Sequence, residues 1–256
     1  GANTVGTLSS SQYAKYVLAA TDATLTAPEG STVIVTTELE NQGYVVEYNE
    51  GVYSVVAGNV LNSTTGKKYA TLAAAINAAS ANDELVLLNN ITEDVTISKS
   101  LTIDGANFEY TGNISVSGTS TKATVKKVNF VDGTGYAITT NRINTITVED
   151  CTVANYGFGF LYANKSTPTV TVKNVTVENA NYGLHWVYGT TATLENVTMT
   201  NVTNGLLIQN YADKTINVKG CNITSIAIWE RENESGVQTF NFTGENTVAS
   251  LADSQY

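Results

Sequence analysis

A parallel β-helix is the fold class that this sequence of 256 residues predicts. The first observation behind this prediction is an internal repeat of 22–24 residues, which runs through the second half of the chain. The second is an alternation of apolar and polar residues inside each repeat, which is typical of strands with one buried face. The third is a Gly, Asn or Asp residue at the same point of most repeats, where a sharp bend is needed. Together these features predict a solenoid of short parallel strands.

Each repeat contains an apolar anchor residue that we expect to point inward. The seven anchors are Ile103, Val125, Val148, Val172, Leu194, Val218 and Phe242. Apolar residues also stand two positions before most anchors and three and five positions after them. The inward-facing positions therefore change from every second residue to a spacing of three at one point of each repeat, which indicates a bend between two strands. This bend falls on Gly105, Lys127, Asp150, Asn174, Asn196, Gly220 and Gly244. An antiparallel sandwich would need hairpin turns every 8–12 residues, and the sequence lacks them.

The beginning of the solenoid has its own signals. Apolar residues at Leu72, Ala75, Ile76 and Ala79 predict an amphipathic helix over residues 69–79, with Thr71 as its N-cap. This helix is expected to cover the open first coil. We therefore assign residues 59–256 to the β-helix domain and residues 1–58 to a small N-terminal β region.

Within residues 1–58 the sequence predicts a strand over residues 33–37. It also predicts a hairpin of residues 43–48 and 52–56, joined by a three-residue turn at 49–51. Residues 12–20 are compatible with a short helix or a strand.

The composition excludes several classes of protein. The chain has 39 Thr and 28 Asn but only 2 Arg, and its net charge is −10. This acidic balance argues against nucleic-acid binding, and the absence of a run of 18 apolar residues argues against membrane insertion. Two Cys residues cannot form a disulfide scaffold or a Cys-rich metal site, and we expect Cys151 and Cys221 to be buried free thiols. The sequence predicts no metal site and no cofactor.

Two outward columns are interpreted as structural. The residue after each anchor alternates in sign along Asp104, Lys126, Glu149, Lys173, Glu195 and Lys219, which predicts a ladder of opposite charges. Thr residues at 145 and 147, 169 and 171, and 191 and 193 form a second array, which resembles that of insect antifreeze β-solenoids. Ice binding is therefore kept as a minor alternative function, although the neighbouring charges do not suit a flat, weakly hydrated plane.

The segments 69–79, 83–88 and 95–104 resemble the opening of right-handed parallel β-helix proteins of the pectate-lyase-like class. Within that class they look most like non-catalytic β-helix modules of large surface proteins of gut bacteria. Residues 43–48 and 51–56 likewise resemble the short β modules that precede such helices. The resemblance implies a right-handed β-helix and an extracellular or cell-surface location in a bacterium.

The catalytic residues that enzymes of that class use have no match in this sequence. Its glycosidases carry an Asp cluster and a Gly-His-Gly motif, whereas the one His here lies in Gly183-Leu184-His185-Trp186. Its lyases use stacked acidic residues for calcium and a nearby basic residue, and neither Arg fits that arrangement. We therefore expect a non-catalytic module for adhesion, glycan recognition or a structural stalk. The alternative is a polysaccharide lyase or glycoside hydrolase that uses Glu230 with Glu232 or Asp213.

An aromatic strip on the later strand of each coil supplies the candidate site. The strip contains Tyr156 and Tyr182. The residues that we expect to point inward are Phe158, Phe160, Leu184 and Trp186. Those that we expect to point outward are Leu161, His185, Val187 and Leu207. The strip either packs against residues 1–58 or binds a partner, namely a glycan or the surface of a host or neighbouring cell. The predicted ligand-binding residues are Tyr162, His185, Tyr188, Trp229 and Glu230.

Overall fold

The computed structural model describes residues 2–4, 15–164, 169–230, 234 and 236–255. Two short helices and 28 strands make up its regular structure. The predicted strand-rich solenoid is confirmed, because all 22 described strands after residue 59 belong to one continuous sheet that winds around a common core.

The N-terminal segment forms a small mixed β structure. Its elements are β1 (Ala2–Thr4), β2 (Lys15–Leu18), β3 (Thr24–Thr26), β4 (Thr32–Val35), α1 (Thr37–Asn41), β5 (Tyr44–Asn49) and β6 (Val52–Ala57). The order of one sheet is β1-β3-β6-β5, and β2 pairs with β4 in a second sheet. Apolar residues between Leu18 and Val55 form a cluster of their own. The division of the chain between residues 58 and 59 stays a prediction.

Two local predictions in this segment need correction. The hairpin has a two-residue loop, because Asn49 still pairs with Val52 and both Glu50 and Gly51 have positive φ. Such a loop matches the twist of the flanking strands. The predicted strand at 33–37 ends at Val35, because Thr36 accepts a hydrogen bond from the backbone of Leu39 and begins helix α1.

The predicted capping helix is confirmed as α2 (Leu72–Ala78), which follows β7 (Val60–Asn62) and β8 (Lys67–Tyr69). Thr71 is its N-cap and accepts a hydrogen bond from Ala74 N at 3.1 Å. The Glu93 carboxylate of the first coil accepts two more, from Leu72 N at 2.7 Å and Ala73 N at 3.3 Å. The helix is thereby fixed over the end of the solenoid core, where Leu72 and Ala75 are fully buried.

The coils have three faces, each a parallel sheet. The first face contains β9 (Glu84–Leu87), β12 (Leu101–Asp104), β15 (Lys122–Lys126), β18 (Thr145–Glu149), β23 (Lys214–Lys219) and β26 (Gln238–Thr243). The second contains β10 (Ile91–Thr92), β13 (Glu109–Thr111), β16 (Asn129–Val131), β19 (Thr152–Ala154), β24 (Asn222–Ile223) and β27 (Thr247–Val248). The third contains β11 (Val95–Ile97), β14 (Ile114–Ser117), β17 (Tyr136–Asn141), β20 (Gly159–Asn164), β25 (Ile226–Glu230) and β28 (Leu251–Gln255). Two long strands, β21 (Thr169–Trp186) and β22 (Thr191–Gln209), bend through all three faces.

The inward columns follow the predicted anchors. Val125 pairs with Ile103 on one side and Val148 on the other, and the anchors from Ile103 to Val218 are at most 1% exposed. Phe242, on the last described coil, is 47% exposed. Cys151 and Cys221 are both buried free thiols, as predicted, because they occupy inward positions. Burial raises the pKa of each thiol.

Each middle coil bends twice through the left-handed conformation. The first bend includes Lys127, Asp150, Asn174 and Asn196, with φ between 51° and 54°, and the second includes Asp132, Asn155, Asn179 and Asn201, with φ between 52° and 58°. The first set and the later bends at Gly220 and Gly244 were predicted. The prediction of Gly105 is wrong, since Ala106 and Asn107 carry the positive φ there. The second set was not predicted.

Asn side chains connect the bends of successive coils. At the first bend, the Nδ2 atom of Asn196 donates to Asn174 Oδ1 at 3.0 Å, and that of Asn174 donates to Asp150 Oδ1 at 2.8 Å. A second ladder runs through Asn201, Asn179, Asn155 and Asp132, with distances of 3.0–3.1 Å. Asn suits these positions because it tolerates the left-handed conformation and its amide has both a donor and an acceptor.

The predicted charge ladder on the first face forms in part, because the ion pairs among the described residues lie on either side of Glu149 and do not include it. Lys126 pairs with Glu84 at 2.8 Å and with Asp104 at 3.3 Å, while Glu195 pairs with Lys173 at 3.3 Å and with Lys219 at 2.7 Å. These contacts lower the pKa of Glu84, chiefly through its hydrogen bond with Lys126, and that of Glu195, chiefly through its hydrogen bond with Lys219. Such exposed pairs contribute little stability individually.

The second Asn ladder can be tested at Asn179. Asn179→Ala should lower the free energy of unfolding by about 2 kcal/mol. The substitution removes two hydrogen bonds, and alanine tolerates the left-handed conformation less well than asparagine. Asn179→Gly should cost about half as much, because glycine adopts this conformation without strain. Urea unfolding followed by circular dichroism measures both. Asn222→Ala, at an exposed position outside the ladders, is the control. A Gly variant less stable than the Ala variant would contradict this account.

Candidate functional site on the third face

An aromatic ridge follows the outside of the third face. We define the aromatic ridge as Tyr136, Phe158, Tyr162, Tyr182, His185 and Trp229. The ring centroids of Tyr136 and Tyr162 are 5.2 Å apart, those of Tyr162 and His185 are 4.7 Å apart, and those of His185 and Trp229 are 6.3 Å apart. The Tyr136 and Tyr162 rings are stacked with an interplanar angle of 22°, whereas the Tyr162–His185 and His185–Trp229 pairs are tilted by 39° and 32°.

Strand register brings these rings together. Tyr162 pairs with His185 in the neighbouring coil, so the two rings lie in one outward column. Gly159 lies between Tyr136 and Tyr182 in another column. A Cβ at Gly159 would lie only 2.2 Å from the backbone oxygen of Tyr182. Because this position has no side chain, the rings of Tyr136 and Tyr182 approach each other across it, with centroids 6.1 Å apart.

The structure corrects three sequence assignments around the ridge. Phe158 precedes strand β20 and is 57% exposed, rather than inward, and its ring stacks on Tyr136 at 5.9 Å. Phe160 and Leu161 are both buried in the core, so strict alternation fails here and Leu161 is not outward. Tyr156 is also buried, because its hydroxyl donates to Gly112 O at 2.8 Å inside the solenoid.

The inward assignments of Leu184 and Trp186 and the outward assignment of His185 are confirmed, whereas Val187 and Leu207 are not exposed. Leu184 and Trp186 belong to the core, as predicted. His185 occupies the outward column between Tyr162 and Leu207. Val187 and Leu207 lie outside the core cluster, yet both are at most 8% exposed, so neighbouring side chains cover them.

His185 is the polar centre of the ridge. Its Nδ1 lies 3.1 Å from the Tyr136 hydroxyl, and its Nε2 lies 3.3 Å from Gln209 Nε2. Burial lowers the pKa of His185 to about 4, so the imidazole is neutral near pH 7 and presents an uncharged ring. Burial also raises the pKa of the hydroxyl of Tyr136. Neither Tyr136 nor Gln209 was predicted as part of this site, since only the register reveals that they reach His185.

A buried lysine fixes the end of strand β22 beside the ridge. Lys214 is 2% exposed, and its Nζ donates to Gln209 O at 2.6 Å and to Ala212 O at 3.3 Å. The ammonium group also lies 5.7 Å from the centre of the Trp186 ring. Burial lowers the pKa of Lys214 to about 8. These contacts hold the backbone of Gln209, whose side chain contacts His185.

The structure brings three of the five predicted ligand-binding residues together. Tyr162, His185 and Trp229 belong to the aromatic ridge. Tyr188 instead stacks on Tyr211, with ring centroids 4.3 Å apart. Glu230 is exposed at the end of strand β25, next to Trp229. No observation tests whether these residues bind a ligand, and the assignment stays a prediction.

The described part of residues 1–58 lies elsewhere. Residues 33–35, 40, 41 and 44–48 face residues 66–71 and Ala74 across a groove at the start of the solenoid. A side chain at Gly58 would lie 3.1 Å from Lys68 Cβ, so the connection to the solenoid is close-packed. The interpretation in which this segment packs on the aromatic strip is therefore not supported for the residues within 33–48 that line the groove, and it stays untested for the rest of the segment, of which residues 5–14 lie outside the described residues.

The Thr array on the first face has the predicted register. Thr145, Thr169, Thr191 and Thr215 pair in sequence, and Thr147, Thr171 and Thr193 form the neighbouring column. The ion pairs of Lys173, Lys219 and Glu195 lie on the same face. This array is therefore flanked by strongly hydrated charges, which does not favour ice binding.

The described residues contain no candidate metal centre and no candidate membrane-spanning helix. Among the residues that the structure describes, no three His, Cys, Asp or Glu side chains cluster as metal ligands would. In the same part of the chain, no helix has the length and apolar character needed to cross a membrane.

Comparison with known proteins agrees with the architecture. Residues 25–199 match the family described as the right-handed beta helix region, and the chain belongs to that family. The expected β-helix is thereby confirmed, including its right-handed winding. No curated protein and no solved structure matches the chain.

The neutral state of His185 has a measurable consequence. The unfolded imidazole takes up a proton below about pH 6.5, whereas the folded one does so only near pH 4. Between these values the unfolded chain binds more protons, so the free energy of unfolding should fall as the pH is lowered. Urea unfolding between about pH 7 and pH 4.5 should therefore show a larger loss of stability in the unsubstituted protein than in His185→Gln. Equal losses would contradict the burial of an uncharged imidazole.

Proposed function

We propose that this chain is a non-catalytic recognition module, which binds glycans through the aromatic ridge outside a bacterial cell. The observation that carries the proposal is the ridge itself, an aromatic surface outside a solenoid whose core is already filled by other side chains. An adhesion role at a host or neighbouring cell surface follows if the glycan belongs to that surface.

The chemistry of the ridge suits a sugar ligand. Aromatic rings pack against the C–H faces of pyranose rings, and the exposed ring of Phe158 offers such a face. Side chains that can bond to hydroxyl groups stand nearby, since Tyr162 and Asn164 occupy the outward side of strand β20 and Glu230 ends strand β25. A combination of apolar surface and a few polar groups is typical of small-ligand sites.

The ridge is also rigid. Tyr162 and His185 are on strands whose inward neighbours, such as Ala163 and Trp186, are fully buried. Side chains held in this way lose little conformational freedom when a ligand binds, so less binding free energy is spent on ordering them. A platform of this kind favours recognition along the axis of the solenoid, across the several coils that the ridge spans.

A non-catalytic role is supported by the carboxylates. Glycoside hydrolysis requires two opposed carboxyl groups, one of them with a raised pKa. The pKa values of Glu84 and Glu195 are lowered instead, because lysines contact both. Of the residues named for the enzymatic alternative, Asp213 accepts a hydrogen bond from Val237 N at 2.8 Å, and Glu232 lies outside the described residues.

A glycan array followed by calorimetry with the best binder tests the proposal. Trp229→Ala and Tyr162→Ala should each weaken binding by about tenfold, because they remove aromatic contact area from the ridge. Phe242→Ala is the matched control, since Phe242 is an exposed aromatic residue outside the third face. Its affinity should equal that of the unsubstituted protein.

Two outcomes would contradict the proposal. One is an array without any binder, accompanied by release of reducing ends from a polysaccharide, which would indicate an enzyme. The other is a glycan affinity that falls in Phe242→Ala but not in Trp229→Ala or Tyr162→Ala.

A further inference from the structure

A second candidate site lies at the start of the solenoid, far along the chain from the aromatic ridge. The junction groove, as we call it, has a volume of about 990 Å³ and is lined by residues 33–35, 40, 41, 44–48, 66–71, Lys15 and Ala74. Sites for ligands commonly lie between structural units and have volumes of this order. The proposed glycan function makes no use of this groove.

Two strand edges face the junction groove. Among the residues that the structure describes, strand β5 is the last strand of its sheet and pairs with β6 alone, while β8 pairs with β7. Consecutive residues of both strands line the groove, so their main chains border it as well as their side chains. An unpaired strand edge offers backbone donors and acceptors that an extended peptide can pair with.

The side chains of the groove define the partner further. Val33, Ile34 and Val45 supply half-buried apolar surface. Lys15, Lys67 and Lys68 also line the groove, against Glu40 and Glu47. This concentration of lysines is unusual in a chain with a net charge of −10. Lys67 lies over the ring of Tyr69, with its Nζ 5.4 Å from the ring centre, and this contact favours a position beside the groove.

We propose that the junction groove binds an extended acidic peptide segment of a partner protein, which adds as a strand to the free edge of β5. The five lining residues 44–48 span about 16 Å in an extended strand, which is enough for a peptide of similar length. Acidic side chains of the peptide face Lys67 and Lys68 on β8, and its apolar side chains contact Val33 and Val45. The backbone pairing supplies affinity, and the lysines select charge.

The probe for this proposal is a fluorescein-labelled hexapeptide of alternating Glu and Val with blocked ends. Fluorescence anisotropy with the full chain should show saturable binding, weakened by a rise in NaCl from about 50 to 500 mM because salt screens the lysines. The same peptide with alternate backbone nitrogens methylated should bind at least about tenfold more weakly, since it loses hydrogen bonds along one edge. A peptide with Lys in place of Glu should not bind.

Variants locate the site. The double substitution Lys67→Gln and Lys68→Gln should weaken binding about fivefold, whereas Lys122→Gln, on the exposed side of the first face, should have no effect. Trp229→Ala should also bind the peptide normally, which separates this proposal from the glycan function.

Three results would overturn the peptide proposal. They are the absence of binding by the unsubstituted protein, equal affinity for the methylated peptide, and binding that depends neither on salt nor on the lysine pair. The first and second results need only the unsubstituted protein, so the proposal can fail even if the double substitution destabilises the chain.

Discussion

The stacking of one coil on the next, at a fixed register, is the constraint on which the rest of this structure depends. Each middle coil turns at two left-handed bends, and Asn side chains at those bends donate to the coil before them. A coil of a different shape would break the Asn ladders, the parallel strand pairing and the inward columns together. The repeat is therefore maintained at 22–24 residues, although its outward residues vary.

This constraint also explains the composition. Asn is abundant because the bends need it, and Thr is abundant because it suits outward strand positions. Asn-x-Thr sequences arise from the same geometry, since a bend precedes a strand. Asn174 and Asn196 illustrate this, because their amide nitrogens are already used in the first ladder. The excess of Asn and Thr is thus a property of the solenoid and carries no information about activity.

On the third face the alternation of inward and outward residues is no longer strict. Three consecutive residues, Gly159, Phe160 and Leu161, are buried in strand β20, so the alternation shifts and Tyr162 projects outward. Gly159 then leaves space for the rings of Tyr136 and Tyr182, and His185 connects Tyr136 to Gln209. The result is an aromatic surface that spans several coils on a rigid base, which is the basis of the proposed recognition role.

Much of the fold could be predicted because it is repeated. The anchors, most of the first bends and the charge ladder all follow from columns that recur in several coils, and Thr71 is a local cap signal. The remaining features break the simple alternation of inward and outward residues. Phe160 and Leu161 are adjacent and both buried, as are the corresponding residues of β17, so strict alternation assigned Leu161 outward and Phe158 inward. Gln209 and Tyr136 contact His185 from coils on either side of it, and no local sequence signal marks such contacts.

The most direct measurement of the central claim is hydrogen exchange followed by mass spectrometry, with and without a glycan selected on the array. Binding along the aromatic ridge should slow exchange in residues 159–164, 182–186 and 226–230, the strands that carry it. Residues 145–149 and 214–219 of the first face should exchange as before. Protection confined to the first face, or no protection at saturating glycan, would contradict the assignment of the ridge as the recognition surface.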